Sequence, residues 1–547
     1  MTDREEVTAS VLAAFKARGF RYVGRNAEKE WVVTGPLVTT EGRYQCNISI
    51  PPNFDRPPSI DLVTVPDALK PIAPHIDSSG GICYLSRHSI SLNIFDPVGQ
   101  MLGCFERAEK VLGQLLRNEL VEDLAEEFFA YWGTDDSHCY FDFRVGTTRK
   151  LQTMVDLRFM PRVVLVFVTD DVSRTVVKSK AMGFELNPVL CTVEKIYTKI
   201  DPRPLQHQWP PKNLGELVQW QAVQDSKTSR RIVERVAQAA EKGEGFVTVL
   251  IETPKFFYSF FVLLRPTASA ARPTKVELRR KSVLYSSAVF PLRSWRIDES
   301  YIIQRNIPGM KTLENKKIIV VGCGTIGGYL ADMLVKAGAG AGDGELVLID
   351  PDRLSPGNLG RHRLGFPYLE QKKAIATRDE LVRNMPDATI KALAVDVKEA
   401  NLAKAALIID ATGEQTVSDY LASAHSHVPQ LNVWIEGPGV AVRALIRREE
   451  GEACVQCLTR LLRKGEYSST VEDMPKVYAG QGCESEYVPF PASVSIQAAC
   501  LAFDMVMDWS AGVATPALQT RVLNQEFTKK QADCDVPRQS ECPACST

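Results

Sequence analysis

The chain has 547 residues, with 65 lysines and arginines against 66 aspartates and glutamates. At roughly 150 residues per domain, this length predicts three or four domains. Hydrophobic residues make up 45% of the chain and charged residues 24%, which excludes a disordered, collagenous or coiled-coil protein. The formal net charge of -1 argues against a nucleic-acid binder, because a phosphate backbone requires a basic face.

The apolar runs predict neither a membrane span nor an export signal. The longest, such as 163–168 and 318–321, have the length of strands, far short of the ~20 residues that a span needs. The N-terminal stretch MTDREEVTASVLAAF is acidic before its apolar part, whereas a secretory signal begins with basic residues. We therefore expect a soluble, cytoplasmic protein that contacts neither membranes nor nucleic acid.

Hydrophobic periodicity divides the chain into three predicted domains. Residues 1–150 combine a first helix, an antiparallel meander and a helical stretch at 98–129, which indicates an α+β fold. Residues 151–295 hold strand-like runs and a helix at 229–242, and we interpret them as an α/β middle linker domain without a recognisable site. Residues 296–547 alternate strands and helices, a pattern typical of a doubly wound, Rossmann-like parallel sheet.

A glycine-rich turn follows the first strand of the third domain. The strand at 318–321 leads into Gly322-Cys-Gly324-Thr-Ile-Gly327, where a helix is predicted to begin. Such glycines let the backbone approach a phosphate, and the helix N-terminus offers unpaired N–H groups. Asp350 ends the next strand, in a position to accept a hydrogen bond from a ribose hydroxyl. This pattern alone is equally typical of a dinucleotide-binding enzyme.

The residues after Asp350 favour an adenylating enzyme. The D-x-D … N-L-x-R … K series formed by Asp350, Asp352, Asn358, Arg361 and Lys373 resembles the adenylating domain of the ubiquitin-activating superfamily, which includes the MoeB and ThiF sulfur-carrier activators. The resemblance implies that the three glycines line the phosphates of ATP, that Asp350 binds ribose, and that Asn358, Arg361 and Lys373 hold the triphosphate. Converging cations suit a carboxylate's attack on an α-phosphate, because charge builds on the phosphoryl oxygens.

Two further positions match the superfamily in part. Where the superfamily has a D-C-T-D-N string that organises Mg²⁺, this chain has Asp410-Ala-Thr-Gly413-Glu414. We assign the magnesium role to Asp410, with Glu414 as a second candidate; a strand-end cap is the alternative for Asp410. Tyr301-Ile-Ile-Gln-Arg305 resembles the R-Y-x-R-Q segment that, in homodimeric relatives, passes an arginine into the partner's ATP site. The alternative is that Arg305 is an ordinary surface residue.

Four of the 13 cysteines form a CxxC … CxxC pattern, Cys454 with Cys457 and Cys542 with Cys545. Two such pairs place four thiolates about a Zn²⁺ ion, and closed Cys₄ sites are structural. Disulfides are the weaker alternative in a chain without an export signal, and a redox role would require only one pair. The ubiquitin-activating superfamily carries the same pair of knuckles, so the pattern supports the same resemblance.

A polar segment at 465–490 carries the first candidate nucleophile, Cys483. It precedes a predicted helix that begins at ASVSIQAAC, and proximity to a helix N-terminus favours the thiolate. In activating enzymes that form a thioester, the nucleophile lies in this crossover segment. The resemblance therefore implies that Cys483 is catalytic, and an incidental loop cysteine is the alternative.

The first domain carries a second candidate nucleophile, Cys83. The string NFDRPPSIDLV, followed by AP-His75-IDSSGGI-Cys83-YL, resembles the ubiquitin-conjugating fold, in which an asparagine stands eight residues before the catalytic cysteine. Here His75 takes the place of that asparagine. The resemblance implies that Cys83 carries a thioester. It leaves His75 open as an oxyanion donor, a base toward the incoming amine, or a residue that stabilises the loop.

The domain order closely resembles the fused activating–conjugating proteins of bacterial CBASS antiphage operons. That resemblance implies a homodimer formed through the adenylating domain, and a ligation that uses ATP, Mg²⁺ and Zn²⁺. The C-terminus of the operon's cGAS-like nucleotidyltransferase would be adenylated, captured on Cys483, passed to Cys83 and joined to an unidentified amine. The alternatives are a bacterial ubiquitin-like modifier as substrate, a sulfur-carrier adenylyltransferase, which leaves Cys83 unexplained, and a non-catalytic scaffold.

Overall fold

The computed structural model consists of two compact units. The first unit comprises Met1–Phe141, Lys150–Thr169 and Asn187–Trp295, and the second comprises Asp142–Arg149, Asp170–Leu186 and Arg296–Thr547. The structure describes residues 2–545 apart from 71–72, 78, 86–91, 94, 121–122, 124–126, 134–136, 145–149, 157–163, 185–188, 205–208, 265–281, 476, 478 and 480–486. Among these described residues, every helix is too short or too polar to traverse a bilayer. The division into three domains at 150 and 295 stays a prediction.

The first unit begins with a small antiparallel sheet covered by helices. Its elements are α1 (Thr2–Ala17), β1 (Arg21–Arg25), β2 (Trp31–Thr39), β3 (Gly42–Ile50), β4 (Ser59–Leu62) and α2 (Pro97–Leu116). The strands pair in the order β1-β2-β3-β4. Buried side chains alternate with more exposed ones along β2, as expected when one face of a sheet packs on helices. The predicted meander is confirmed, and of the helical stretch predicted at 98–129 the structure forms helix α2, which ends at Leu116.

The chain between β4 and α2 is anchored to the edge of this sheet. Isolated bridges join Asp61 to Gly81 and Ile76 to Ile82. Helix α2 begins where the Asp96 side chain accepts a hydrogen bond from the N–H of Gly99, with a proline in the first turn. These contacts fix both ends of the loop region that carries Cys83.

A closed barrel of seven strands follows. Its strands are β5 (Ser137–Asp142), β6 (Gln152–Asp156), β7 (Val164–Thr169), β8 (Val189–Tyr197), β9 (Phe246–Glu252), β10 (Phe257–Leu263) and β11 (Val289–Arg296). They close in the order β10-β11-β5-β7-β6-β8-β9. The helices of this part of the first unit are α3 (Phe128–Tyr131), α5 (Leu214–Gln224) and α6 (Ser226–Glu241), whereas α4 (Val172–Ala181) belongs to the second unit. The sequence predicted several of these strands and helix α6, but not the closure of the barrel.

The second unit is built on a seven-stranded sheet. Its strands are β12 (Lys317–Val321), β13 (Glu345–Ile349), β14 (Ile390–Leu393), β15 (Leu407–Asp410), β16 (Gln430–Glu436), β17 (Ala441–Arg447) and β18 (Leu518–Val522). They lie in the order β14-β13-β12-β15-β16-β17-β18. The first five strands are parallel to one another, whereas β17 pairs antiparallel with both β16 and β18. The predicted Rossmann-like parallel sheet is confirmed, and the antiparallel edge extends it.

Helices and short turns connect the strands of this second sheet. Helix α7 (Glu299–Asn306) precedes β12, and the connecting helices are α8 (Gly327–Lys336), α9 (Lys373–Asn384), α10 (Gln415–Ala424), α11 (Val455–Arg463) and α12 (Ala492–Ala511). The central strand β12 is an apolar run that is almost wholly buried, because helices cover both faces of a parallel sheet. The carboxyl ends of β12, β13 and β15 therefore meet at one edge, where a doubly wound sheet binds its ligands.

Candidate functional site

A pocket of about 360 Å³ opens at the carboxyl ends of β12, β13 and β15. Five residues predicted for the ATP site line it, namely Gly322, Gly324, Asp350, Asp352 and Lys373. The loop after β15, residues 411–414, forms another part of its wall. The structure therefore brings together residues that lie up to 51 positions apart in the sequence, as the adenylating interpretation requires.

The three glycines of the turn have different structural roles. Gly322 has φ of +88°, in the left-handed region that favours glycine. A Cβ on Gly327 would lie 1.8 Å from the carbonyl oxygen of Gly322, so Gly327 lets helix α8 begin directly against the turn. A Cβ on Gly324 would meet no atom within 4 Å. Gly324 is thus the glycine that leaves open space beside the pocket for a ligand.

Two buried side chains hold the backbone of Cys323, in the middle of this turn. The Asp350 carboxylate accepts hydrogen bonds from the N–H of Cys323 at 2.7 Å and of Asp352 at 2.8 Å, and burial raises the pKa of Asp350. His362 Nδ1 accepts from the N–H of Leu364 at 3.0 Å, so its Nε2 donates to the carbonyl of Cys323 at 2.8 Å. Burial lowers the pKa of His362, which stays neutral here. The sequence did not single out His362.

Lys373 and Asp352 pair on one wall of the pocket. Lys373 Nζ lies 2.9 Å from Asp352 Oδ2, and the Lys373 N–H donates to the Asp352 carbonyl at 2.9 Å. The Lys373 side chain is 12% exposed, whereas that of Asp352 is 66% exposed. The pair thus presents a held cation and an accessible carboxylate to the same space, at the N-terminus of α9.

Asn358 and Arg361 are not among the residues that line the pocket. Asn358 Oδ1 accepts from the N–H and the hydroxyl of Ser355, each at 3.1 Å. Arg361 Nη1 donates to the carbonyl of Val488 at 2.9 Å, and its guanidinium lies 4.4 Å from the ring centroid of Phe490. Phe490 itself lines the pocket, so Arg361 connects the pocket wall to the chain that follows Cys483.

Asp410 is buried at the end of β15 and faces four donors. Its Oδ1 accepts from the N–H and hydroxyl of Thr412, and its Oδ2 accepts from Ser418 Oγ and Asn432 Nδ2, at 2.5 to 3.0 Å. The carboxylate therefore shapes the start of the 411–414 loop, as in the strand-end alternative. Glu414 lines the pocket and is exposed, which leaves its carboxylate accessible.

The two CxxC pairs come together in the second unit. The Sγ atoms of Cys454 and Cys542 lie 3.6 Å apart, as do those of Cys457 and Cys545, and all four lie within 4.8 Å. A Zn²⁺ ion with Zn–S bonds of about 2.3 Å places tetrahedral sulfur ligands about 3.8 Å apart. The four buried thiols, none of them in a disulfide, thus fit a zinc ion.

Cys83 is exposed in the first unit, and its backbone is joined to His75. The Cys83 N–H donates to the His75 carbonyl at 2.8 Å. His75 Nε2 lies 2.9 Å from Asp123 Oδ2, and Nδ1 lies 2.9 Å from Glu127 Oε1. The hydrogen bonds to Glu127 and then Asp123 raise the pKa of His75 to about 9, against the opposing effect of burial. The resemblance to the ubiquitin-conjugating fold implied that His75 belongs to the loop of Cys83, but neither carboxylate was predicted.

Two predicted residues lie outside these clusters. Cys483 falls in 480–486, outside the described residues. Arg305 is exposed in the last turn of α7, and its passage into a partner's ATP site stays a prediction.

Comparison with known proteins identifies families for both ends of the chain. The ThiF family matches residues 302–544, and prokaryotic E2 family B matches residues 21–140. These matches define a chain that joins a ThiF-type domain to an E2-type domain. The first contains the pocket and three of the four clustered cysteines, ending one residue before Cys545, and the second contains His75 and Cys83.

The full-length comparison is more specific. The ATP-dependent ubiquitin transferase-like protein Cap2 of Pseudomonas aeruginosa (strain BWHPSA011 / Pa011) is 43% identical over 543 residues, which cover 98% of this chain and 99% of the relative. Cap2 of Escherichia coli (strain TW11681) is 25% identical over 537 residues, covering 89% and 88%. A crystal structure of E. coli MccB with ATP, at 17% identity, covers 45% of this chain and 69% of its own, with a TM-score of 0.32. The chain belongs to the Cap2 family of ATP-dependent ubiquitin transferase-like proteins, and the predicted resemblance to fused activating–conjugating proteins is confirmed.

Proposed function

We propose that this protein is an ATP-dependent ligase that joins the C-terminal carboxylate of a partner protein to an amine. One observation supports this above all. A single chain carries a pocket with Asp350 and Lys373 at the carboxyl edge of a ThiF-type sheet, and an exposed Cys83 in an E2-type domain. The first suits activation of a carboxylate, and the second suits its transfer.

In the first step, the partner's carboxylate attacks the α-phosphate of ATP, and pyrophosphate leaves. The open face at Gly324 and the N-terminus of α8 suit the phosphates, because no Cβ blocks their approach to the backbone N–H groups. Lys373 offsets negative charge that develops on the phosphoryl oxygens. Asp350 lines the pocket where the ribose is predicted. For Asn358 and Arg361 to reach the triphosphate, they must leave Ser355 and Val488.

The residues present also suit two metal ions. Mg²⁺, when bound, neutralises phosphate charge. Asp352 and Glu414 have accessible carboxylates at the pocket and would hold the ion. Asp410 would contribute indirectly, because it holds the loop that carries Glu414. The second ion is a structural Zn²⁺ on the four cysteines, where no position is left open for a substrate.

Transfer then proceeds through two thioesters. Cys483 attacks the acyl-adenylate, and AMP leaves. Cys83 takes the acyl group from Cys483 at little cost in free energy, since one thioester replaces another. An amine attacks the Cys83 thioester, and the thiolate of Cys83 leaves as the amide forms. Each step has an activated leaving group, which divides a difficult condensation into easier ones.

For the activated protein we propose the cGAS-like nucleotidyltransferase of an antiphage operon, with a bacterial ubiquitin-like modifier as the second candidate. We further propose a homodimer formed through the second unit, and a cytoplasmic reaction. A sulfur-carrier adenylyltransferase would share the pocket and the zinc, but its reaction gives the exposed Cys83 no role.

The test is ATP-dependent adduct formation with a candidate partner, followed by intact-mass measurement of the purified protein. We expect reductant-sensitive adducts on both Cys483 and Cys83. The adduct on Cys83 should require Cys483, whereas the adduct on Cys483 should form in the Cys83→Ala variant. ATP–pyrophosphate exchange should survive Cys483→Ala, because adenylation precedes capture. Normal loading of Cys83 in Cys483→Ala would remove Cys483 from the route, and exchange without any thioester would favour the sulfur-carrier alternative.

A further inference from the structure

His75 occupies an unusual backbone position in the loop that carries Cys83. Its φ is +58°, in the left-handed region, where histidine and asparagine are more frequent than most other residues with a side chain. The next residue, Ile76, forms a β-bridge with Ile82, and the His75 carbonyl accepts a hydrogen bond from the N–H of Cys83. The conformation of His75 therefore decides where the backbone of Cys83 lies.

Both ring nitrogens of His75 are already engaged. Nδ1 meets Glu127 Oε1 and Nε2 meets Asp123 Oδ2, each at 2.9 Å. A carboxylate oxygen only accepts hydrogen bonds, so both nitrogens must donate and the ring is an imidazolium. An imidazolium has no lone pair with which to remove a proton from an amine. With both N–H groups held by carboxylates, it also has none left for an oxyanion.

The contacts extend past the ring. The N–H of His75 donates to Glu127 Oε2 at 3.2 Å. The Tyr131 hydroxyl lies 2.8 Å from the same oxygen and 3.1 Å from the Ala73 carbonyl oxygen, and its single proton is shared between these two acceptors. Glu127 thus contacts the backbone and ring of His75 together, and Tyr131 holds the residues before it. Burial raises the pKa of Tyr131, and the hydrogen bond to Glu127 raises it further.

We propose that His75 is a positioning residue rather than a base or an oxyanion donor: as an imidazolium between Asp123 and Glu127, it fixes the backbone of Cys83 for acyl transfer. The inference rests on the proposed function of Cys83. It adds Asp123 and Glu127 as residues on which that transfer depends. Among the residues that the structure describes, the groups that face the ring are these two carboxylates, with Tyr131 behind Glu127 and Cys83 beyond the backbone.

The first experiment observes the ring directly and needs no partner. The full chain is labelled with ¹⁵N-histidine, and the His75 signals are assigned with His75→Asn. We expect protons on both nitrogens at neutral pH, and loss of a proton only near pH 9. In Glu127→Gln the proton should be lost at least about one pH unit lower, because one charged hydrogen bond is removed. A neutral His75 ring at neutral pH would overturn the proposal.

The second experiment measures discharge of the Cys83 thioester to hydroxylamine, which is uncharged between about pH 7 and about pH 10. Over that range His75 is the titrating group among the described residues of its cluster with a shifted pKa, because the pKa of Glu127 is lowered, Tyr131 has a strongly raised pKa and the thioester has no thiol. The wild-type rate should fall as His75 loses its proton. In Glu127→Gln the fall should occur at lower pH, and discharge at neutral pH should be at least about tenfold slower.

Glu106→Gln is the matched control, since it removes a carboxylate that pairs with Arg18 in the same unit. Its profile should equal that of the wild type. Thermal unfolding checks that each variant folds, and Asp123→Asn serves as the second variant if Glu127→Gln does not. If the discharge rate instead rises as His75 loses its proton, and this rise is absent in His75→Asn, then His75 acts as a base and the proposal is overturned. Absence of any Cys83 thioester would instead refute the proposed function, while the ring experiment still decides the state of His75.

Discussion

His75 and His362 each hold a loop in a candidate site, one in each unit of the chain. His75 lies between two carboxylates with 24% of its side chain exposed, and its pKa is raised to about 9, chiefly by Glu127. His362 is buried against backbone groups of Cys323 and Leu364, and burial lowers its pKa. One loop is thus held by a cation and the other by a neutral ring.

The difference shows how each loop responds to solution conditions. Partly exposed ion pairs weaken as salt and pH rise, because screening and deprotonation both remove the attraction. Buried hydrogen bonds from a neutral ring to the backbone are screened little. We therefore expect the turn at 322–327 to keep its shape over a wide range of conditions, whereas the loop that carries Cys83 adjusts to them.

The largest effect that separates the two sites should come from Cys83→Ser. Oxygen is a much poorer nucleophile here than thiolate, so transfer of the acyl group to an added amine should fall below detection. ATP–pyrophosphate exchange, a reaction of the second unit, should be unchanged. Loss of exchange in the folded Cys83→Ser protein would mean that the two chemistries are not separable.

The reverse separation is expected from Lys373→Ala. Removing a cation aimed at developing phosphoryl charge should lower the exchange rate by about 100-fold or more. The matched control is Lys372→Ala, because the Lys372 Nζ donates to the carbonyl of Pro351 and does not line the pocket. Equal exchange rates in the two variants would show that Lys373 does not contact the phosphates.

Two glycines of the turn allow a test of its rigidity. In Gly327→Ala the new Cβ collides with the Gly322 carbonyl, and we expect the free energy of unfolding of the second unit to fall by about 2–4 kcal/mol. In Gly324→Ala the Cβ enters open space, so stability should be nearly unchanged while ATP binding weakens. Calorimetry and ATP titration measure both. A stable Gly327→Ala protein would contradict the rigid turn.

The smallest effect is a pair of opposite pH dependences. The pKa of His75 is raised, so its contribution to stability is complete below pH 6.5 and is lost as pH rises toward about 9. The pKa of His362 is lowered, so its contribution is present above pH 6.5 and is lost as pH falls below that value. The His75 contribution should amount to about 1 kcal/mol, because its partial exposure screens the ion pairs. Thermal unfolding measures this dependence. The decrease in stability as pH rises from 6.5 toward about 9 should be absent in His75→Asn. Retention of that decrease would exclude the ion pairs of His75 with Asp123 and Glu127 as its cause.

Sequence reasoning found those residues whose neighbours in the chain define them. The turn at 322–327 and Asp350 directly follow strands, Lys373 belongs to a series that resembles the adenylating domain, and His75 stands eight residues before Cys83. The residues that contact them are distant in the sequence. His362 is 39 residues from Cys323, and Asp123 and Glu127 are 48 and 52 residues from His75. Asp123 and Glu127 are two of 66 acidic residues, and His362 stands in no spacing that predicts its contact with Cys323, so without the fold nothing marked these three.

The same limit applies to the fold. The alternation of strand and helix from residue 318 predicted a parallel sheet, because each strand–helix unit is local. Closure of the barrel depends on the pairing of β10 with β11 and of β8 with β9, which are separated by long connections. Periodicity of 2 describes a strand equally well in an open sheet or in a closed barrel.

The four cysteines have a consequence for chain entropy. Partners across the site are 88 residues apart in sequence, yet the folded sheet already holds Cys454 Sγ and Cys542 Sγ at 3.6 Å. Closing such a loop in a flexible chain costs about 4 kcal/mol. In the native unit the loss of chain entropy has already occurred on folding. The native unit should therefore bind the proposed zinc up to about 1,000-fold more tightly than the unfolded chain does. Chelators should accordingly extract the metal only as fast as the second unit opens, and zinc release in step with urea unfolding would measure that opening.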